Sequence, residues 1–213
     1  MTDIRDALSP ASDCRRCVLA DTRLRVVLPE GRPDGLLAVG EAPGRQEEAN
    51  GIGFCGAAGR NLDRLLSGFG LAREDWARAN TVWCRPPANR KPVRVEREAC
   101  RDHLLAALDL LHPRVLLAVG ETAALALVPE LKRDQPSYLT AVLDLVVRAE
   151  AGRPTWPAFR GIAVVPMPHT SPLAWNRRTR DGMPIRALGE RAAAQAIALL
   201  ADDRAAEDRA QSE

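Results

Sequence analysis

Four short apolar runs, each ending in a loop of glycine, proline and polar residues, set the limits on how this chain can fold. Residues 36–40 (LLAVG), 114–120 (RVLLAVG) and 162–167 (IAVVPM) are continuous rather than alternating, and residues 80–83 form a shorter run that enters CRPP. A strand that is apolar on both sides must be covered on both faces, which is the condition of a parallel sheet. Helical periodicity fills the intervals. Leu62, Leu65 and Leu66 share a face within residues 57–69, and Leu104, Leu105, Leu108 and Leu111 do so within 95–111. Residues 121–128, 137–149 and 185–201 follow the same pattern. Strands alternating with helices predict an α/β three-layer sandwich, a parallel sheet with helices on both faces, and ligands bound outside the carboxyl ends of the strands. Every distinctive loop falls on that edge: GEAPG, CRPPANR, GETAA and PHTSPLAWNRR.

A chain of 213 residues can bury most of its apolar surface in one domain, expected here over residues 1–201. Residues 129–161 exceed a simple connection and read as an insert with its own helix, and residues 202–213 as a polar, flexible tail. The likeness of AVGEAPG to AVGETAA reads as two similar strand ends rather than a duplication.

No run approaches eighteen apolar residues, and the segment MTDIRDALSPASDC lacks the order of a signal peptide, so a cytoplasmic protein without a membrane partner is expected. In that compartment an odd count of 5 cysteines points to metal or redox chemistry. Cys14 and Cys17 form a C-x-x-C that could bite a metal, act as a redox pair or be fortuitous. Its position ahead of any strand disfavours the thioredoxin arrangement. The net charge of +2 is too small to announce a nucleic-acid partner through bulk electrostatics, so any such partner rests on local patches. Only Lys91 and Lys132 are lysines among 30 cations, which codon usage explains and phosphate recognition by guanidinium forks would also exploit. The charge is unevenly placed. Residues 84–101 carry six basic against two acidic side chains and residues 169–186 four arginines against Asp181, while residues 187–213 carry three arginines against six acids.

The succession GEAPG, GFCGAAGRNLDRLL, ANTVWCRPPANRKP, EREAC and HTSPLAWNR, over residues 14–177, resembles the iron–sulfur uracil-DNA glycosylases, family 4 of the uracil-DNA glycosylase superfamily. The resemblance implies a central four-stranded parallel sheet between helices. It also implies a [4Fe–4S] cluster near the N-terminus, held by Cys14, Cys17, Cys84 and Cys100; a zinc site built from the same four thiolates stays open. Cys55 is left as a free thiol near the pocket. The resemblance further implies excision of uracil from single- or double-stranded DNA by a monomeric hydrolase, leaving an abasic site.

Residue by residue, Phe54 matches the ring on which uracil stacks, and Asn80 the amide that reads N3–H and O4. His169 matches the donor to O2. Glu41 matches the acid that orients water or stabilises the sugar cation, with Gly40 and Ala42 beside it at the base. The better-known uracil-DNA glycosylases carry a catalytic aspartate at the position of Ala42. Thr170 departs from the family's usual HPS, and the following Ser171-Pro172-Leu173 resembles the HPSPLS loop of the cluster-free enzymes. That likeness makes Leu173 a wedge into the vacated stack and Ser171 and Arg177 phosphate contacts. Arg85, Arg90 and Lys91 are expected near phosphates, and His103 and His112 in structural roles. Two other readings stay open: the same class acting on another base such as hypoxanthine, and a non-catalytic uracil-DNA binder. A covalent binder is disfavoured because the link from Asn80 to Pro92 is short and holds no histidine.

Overall fold

The computed structural model describes residues 4–210. In chain order the elements are α1 (Ile4–Leu8), β1 (Leu36–Gly40), α2 (Arg45–Asn50), α3 (Ala57–Ser67), β2 (Ala77–Asn80), α4 (Arg94–Leu111), β3 (Val115–Val119), α5 (Glu121–Leu127), α6 (Tyr138–Glu150), β4 (Ala158–Phe159), β5 (Ile162–Met167), α7 (Pro172–Trp175) and α8 (Ile185–Ala210). The sheet order is β2-β1-β3-β5-β4, with the first four strands parallel. Every residue of β1 and β3 is buried, so both faces of the sheet are covered, as the continuous apolar runs require.

Three expectations are corrected. The sheet has a fifth strand: the two-residue β4 pairs antiparallel with β5, which makes the sheet mixed. The second strand is not residues 80–83 but Ala77–Asn80, in register from Leu37 opposite Ala77 to Gly40 opposite Asn80. Its ARAN sequence hides the strand because the charge of buried Arg78 is met by Glu30, distant in sequence, and by the nearby Trp76 ring. Arg78 Nε donates to Glu30 Oε1 at 2.8 Å, and its guanidinium lies 5.1 Å from the centroid of the Trp76 ring. The apolar residues after Asn80 turn off the sheet, burying Val82, Trp83 and Cys84 in the core. Finally, the last helix does not end near Ala201 but continues to Ala210, and residues 211–213 of the expected tail lie outside the described residues.

Helix α6 lies within residues 129–161. Its first residue, Tyr138, is buried and donates its hydroxyl proton to Met167 O at 2.7 Å, tying the insert to the end of β5. Burial holds the Tyr138 hydroxyl well above its usual range, with Glu121 adding to the shift, so it stays a donor. Among the described residues no helix is long and apolar enough to cross a membrane.

Because the first four strands are parallel, Gly40, Asn80, Val119 and Met167 end on one edge. The chain order reverses between β1 and β3, the point at which open α/β sheets leave a crevice for a ligand.

Candidate active site

A pocket of about 350 Å³, counting its open mouth, lies at that crevice and is lined by Gly40, Glu41, Ala42, Glu47, Phe54, Ala58, Gly59, Asn80, Val119, His169 and Thr170. The structure therefore brings together all six side chains and loop residues expected to meet the base, drawn from three strand ends and the GFCG loop.

Gly40 is where these parts come closest. A Cβ built there would lie 2.5 Å from Asn80 Oδ1 and 2.8 Å from Phe54 Cζ, so only glycine lets amide and ring converge beside the β1 terminus. Asn80 is buried at the last position of β2. Beyond it the two strand ends stay joined, Thr81 Oγ1 donating to Glu41 O at 2.6 Å.

Phe54 adopts φ 55°, the left-handed region that costs a non-glycine residue about 1–3 kcal/mol and survives only where its surroundings hold it. Its ring packs edge-on against Trp76, centroids 6.2 Å apart at 86°. Its carbonyl sits on the first turn of α3, where a Cβ at Gly59 would come within 1.7 Å of it. Glu47 joins this loop to the one after β1, accepting from Gly44 N at 3.1 Å through Oε2 and from Gly56 N at 2.7 Å through Oε1.

His169 follows β5. The backbone N–H of Ser171 donates to its Nδ1 at 3.1 Å, so Nδ1 is the acceptor and, in the neutral ring, the proton resides on Nε2. Desolvation by burial holds the imidazole below its ordinary value; Glu41 opposes this and Lys91 reinforces it. The group presented to the pocket is thus a neutral N–H donor. Thr170 explains its own departure from the family pattern: it is fully buried, and its hydroxyl donates to Ala58 O at 2.8 Å. Asn61 Nδ2 donates to Thr170 O at 2.8 Å, so α3 holds the histidine loop from two sides.

The expected DNA contacts divide. Leu173 is 82% exposed at the tip of α7, which local packing cannot account for. Arg177 and Lys91 are exposed. Ser171 caps α7, its Oγ accepting from Ala174 N at 3.4 Å, while its backbone serves His169. Arg85 is half-buried, pairing with Glu48 at 3.2 Å and donating to Asn89 at 2.6 Å. Arg90 makes two bonds, 2.9 and 2.6 Å, to the fully buried carboxylate of Glu96, which also accepts from Val93 N at the start of α4. Arg90 and the Val93 N–H hold that carboxyl below its usual range. Both arginines therefore brace the loop between β2 and α4.

A second cavity, of about 360 Å³, is lined by Cys14, Cys17, Cys84 and Cys100 together with Trp83 and His103. The cysteines come from the N-terminal segment, the turn after β2, and α4, and Arg16 pairs with Asp102 at 2.8 Å to tie the N-terminal segment to α4. Burial pushes the Cys84 thiol up to about 11 and the Cys100 thiol up to about 12. Among the described residues no three His, Cys, Asp or Glu side chains converge closely enough to hold a single ion. His103 stacks on Trp83 at 5.1 Å, and His112 follows α4 with φ 43°. Cys55 is a free, half-buried thiol 3.6 Å from Asn50 Nδ2 and does not line the pocket.

Sequence reasoning missed Glu47, Asn61, Gly59, Arg73 and Tyr138. Asn61, Arg73 and Tyr138 act on backbone groups 19 to 109 residues away, and Glu47 and Gly59 on backbone groups of nearby loops, contacts that leave no sequence pattern to read.

A doubly wound sheet whose switch point holds a small pocket with an aromatic ring, a carboxamide and a neutral histidine defines an α/β protein with its ligand crevice at that point. The sequence profile of the uracil DNA glycosylase superfamily matches residues 30–192, and the chain belongs to that superfamily. It is similar to the Type-4 uracil-DNA glycosylase of Archaeoglobus fulgidus, 39% identical over 125 residues, 58% of this chain and 63% of that protein. It is likewise similar to the Type-4 uracil-DNA glycosylases of Thermotoga maritima, 43% over 111 residues (52% and 58%), and Pyrobaculum aerophilum, 43% over 116 residues (54% and 59%). The matched part spans less than two thirds of the length of each of these relatives.

Proposed function

We propose that this protein is a type-4 uracil-DNA glycosylase that hydrolyses the N-glycosidic bond of uracil in DNA and leaves an abasic site. The observation that carries the reading is the convergence of Asn80, Phe54 and His169 on one pocket at the strand-order switch point, made possible by Gly40.

The glycosidic bond is out of reach inside a duplex, so the nucleotide must leave the stack, with exposed Leu173 filling the gap. Phe54 then supplies the stacking face. The Asn80 amide offers an acceptor for N3–H and a donor for O4, a pattern that cytosine reverses. As the C1′–N1 bond breaks, the electron pair leaves on uracil and negative charge reaches O2, where a neutral Nε2–H of His169 can donate. Water adds to C1′, and Glu41, which lines the pocket, accepts its proton or offsets the positive sugar. Arg177 and Lys91 are the exposed cations suited to flanking phosphates, with Arg85 and Arg90 shaping the loop that carries Lys91.

Cys14, Cys17, Cys84 and Cys100 fit a [4Fe–4S] cluster: four thiols, the full ligand set of such a centre, line one cavity. Bound there, a cluster would supply a structural cross-link between the N-terminal segment, the turn after β2 and α4. A reducing cytoplasm is the setting in which such free thiols persist. Incubation with a uracil-containing oligonucleotide followed by alkali tests the activity, with strand scission at the uracil as the expected result.

A further inference from the structure

The segment that carries Phe54 is held from behind by one guanidinium. Arg73 lies in the short turn Arg73–Asp75 ahead of β2, with a side chain 29% exposed. Its Nη2 donates to Gly53 O at 2.6 Å and its Nη1 to Phe54 O at 3.2 Å. Asp63 of α3 orients it, accepting from Nη1 at 3.0 and 3.1 Å. The same guanidinium lies 6.0 Å from the centroid of Trp76, the ring that meets Phe54 edge-on.

Successive carbonyls of an extended chain point in opposite directions, and two of them reach a single cation only where the backbone between them turns. The left-handed conformation of Phe54 is that turn. Released from Arg73, a non-glycine residue at this φ would relax toward the extended region and carry its ring away from Asn80 and Gly40. Arg73 is not among the residues that line the pocket.

We propose that Arg73 is a positioning residue for the base: by fixing the two carbonyls and the ring behind Phe54, it presets the stacking platform. The assignment deepens the uracil reading and rests on it. Arg73 governs how well the base is held, while Glu41 and His169 govern bond cleavage.

Arg73→Met, Arg73→Lys and Asp63→Asn, each in the full chain, are to be compared with wild type for KM, kcat and inhibition by free uracil. Losing a stacking contact predicts that Arg73→Met raises KM and the inhibition constant about tenfold, while kcat stays within about threefold. Arg73→Lys should recover part of the loss, and Asp63→Asn should shift both constants in the same direction by less. In a Phe54→Ala background, Arg73→Met should add nothing to the inhibition constant, because the two residues act through one contact. Additive losses in that double variant, or an unchanged inhibition constant in all three single variants, would overturn the assignment. Wild-type protein that neither excises uracil nor is inhibited by it would instead overturn the uracil reading and this assignment with it. If Arg73→Met fails to fold, Arg73→Lys and Asp63→Asn decide between these outcomes.

Discussion

A Cβ at Gly40 would stand 2.5 Å from Oδ1 of Asn80, so the end of β1 and the Asn80 amide proposed to read the base share one volume. Gly40→Ala should displace Asn80 and Phe54 together while leaving the sheet intact. A misplacement approaching 1 Å costs on the order of 100-fold in rate, so single-turnover excision should fall by about that factor with little change in the melting curve.

Asn80→Asp replaces the donor at O4 with a second acceptor. An unmatched buried polar group costs about 1–3 kcal/mol, so kcat/KM for uracil should fall roughly 10–100-fold and the preference for uracil over cytosine should narrow. Competition between the two bases in otherwise identical oligonucleotides measures the narrowing.

The tautomer of His169 makes a prediction about pH. Burial lowers its folded-state value beneath the ordinary 6.5, so between the two values the unfolded chain binds more protons than the folded one. The stability contribution is then complete above 6.5 and is lost as pH falls through the folded value. Activity should follow the same limb, level at neutral pH and declining only below the ordinary histidine range as the Nδ1 acceptor is protonated. A pH–rate profile checks this; a decline that begins above 6.5 would mean that the cationic ring is not the inactive form.

Thr170→Val keeps the shape of a fully buried side chain but removes its bond to Ala58 O. Because Ala58 O still accepts within α3, the loss of this one bond should cost about 0.5–1.5 kcal/mol of stability, read by denaturant titration. It should also lower excision, because α3 loses one of its two holds on the histidine loop.

Cys84→Ala should remove iron and visible colour from the purified protein and lower its stability, as measured by metal analysis and thermal melting. A colourless wild-type protein carrying zinc would replace the cluster with a mononuclear site and would leave the pocket chemistry as described.

The layers and the edge that holds the site were legible because continuous apolar runs admit few coverings, and glycine and proline mark where each run stops. β1 and β5 lie where the runs lie. β2 was displaced because its burial depends on the pairing of Arg78 with Glu30, 48 residues away, whereas the apolar residues 82–84 follow the strand rather than form it. Phe54, Asn80 and His169 were singled out through the family resemblance, and the structure lines one pocket with all three. The side chains that orient them were not: Arg73 and Glu47 act through backbone carbonyls and amides, which every residue has. The engagement of Arg85 and Arg90 with Glu48 and Glu96 also lay outside a count of charges.

Release of uracil is the most direct measure of the central claim. With enzyme in excess over a single-uracil oligonucleotide, offered as single strand and as duplex, the pocket predicts free uracil in solution and an alkali-labile break at that position. Both should be reduced by orders of magnitude in His169→Ala. Intact oligonucleotide after prolonged incubation with folded wild-type protein, in both strand states, would contradict it.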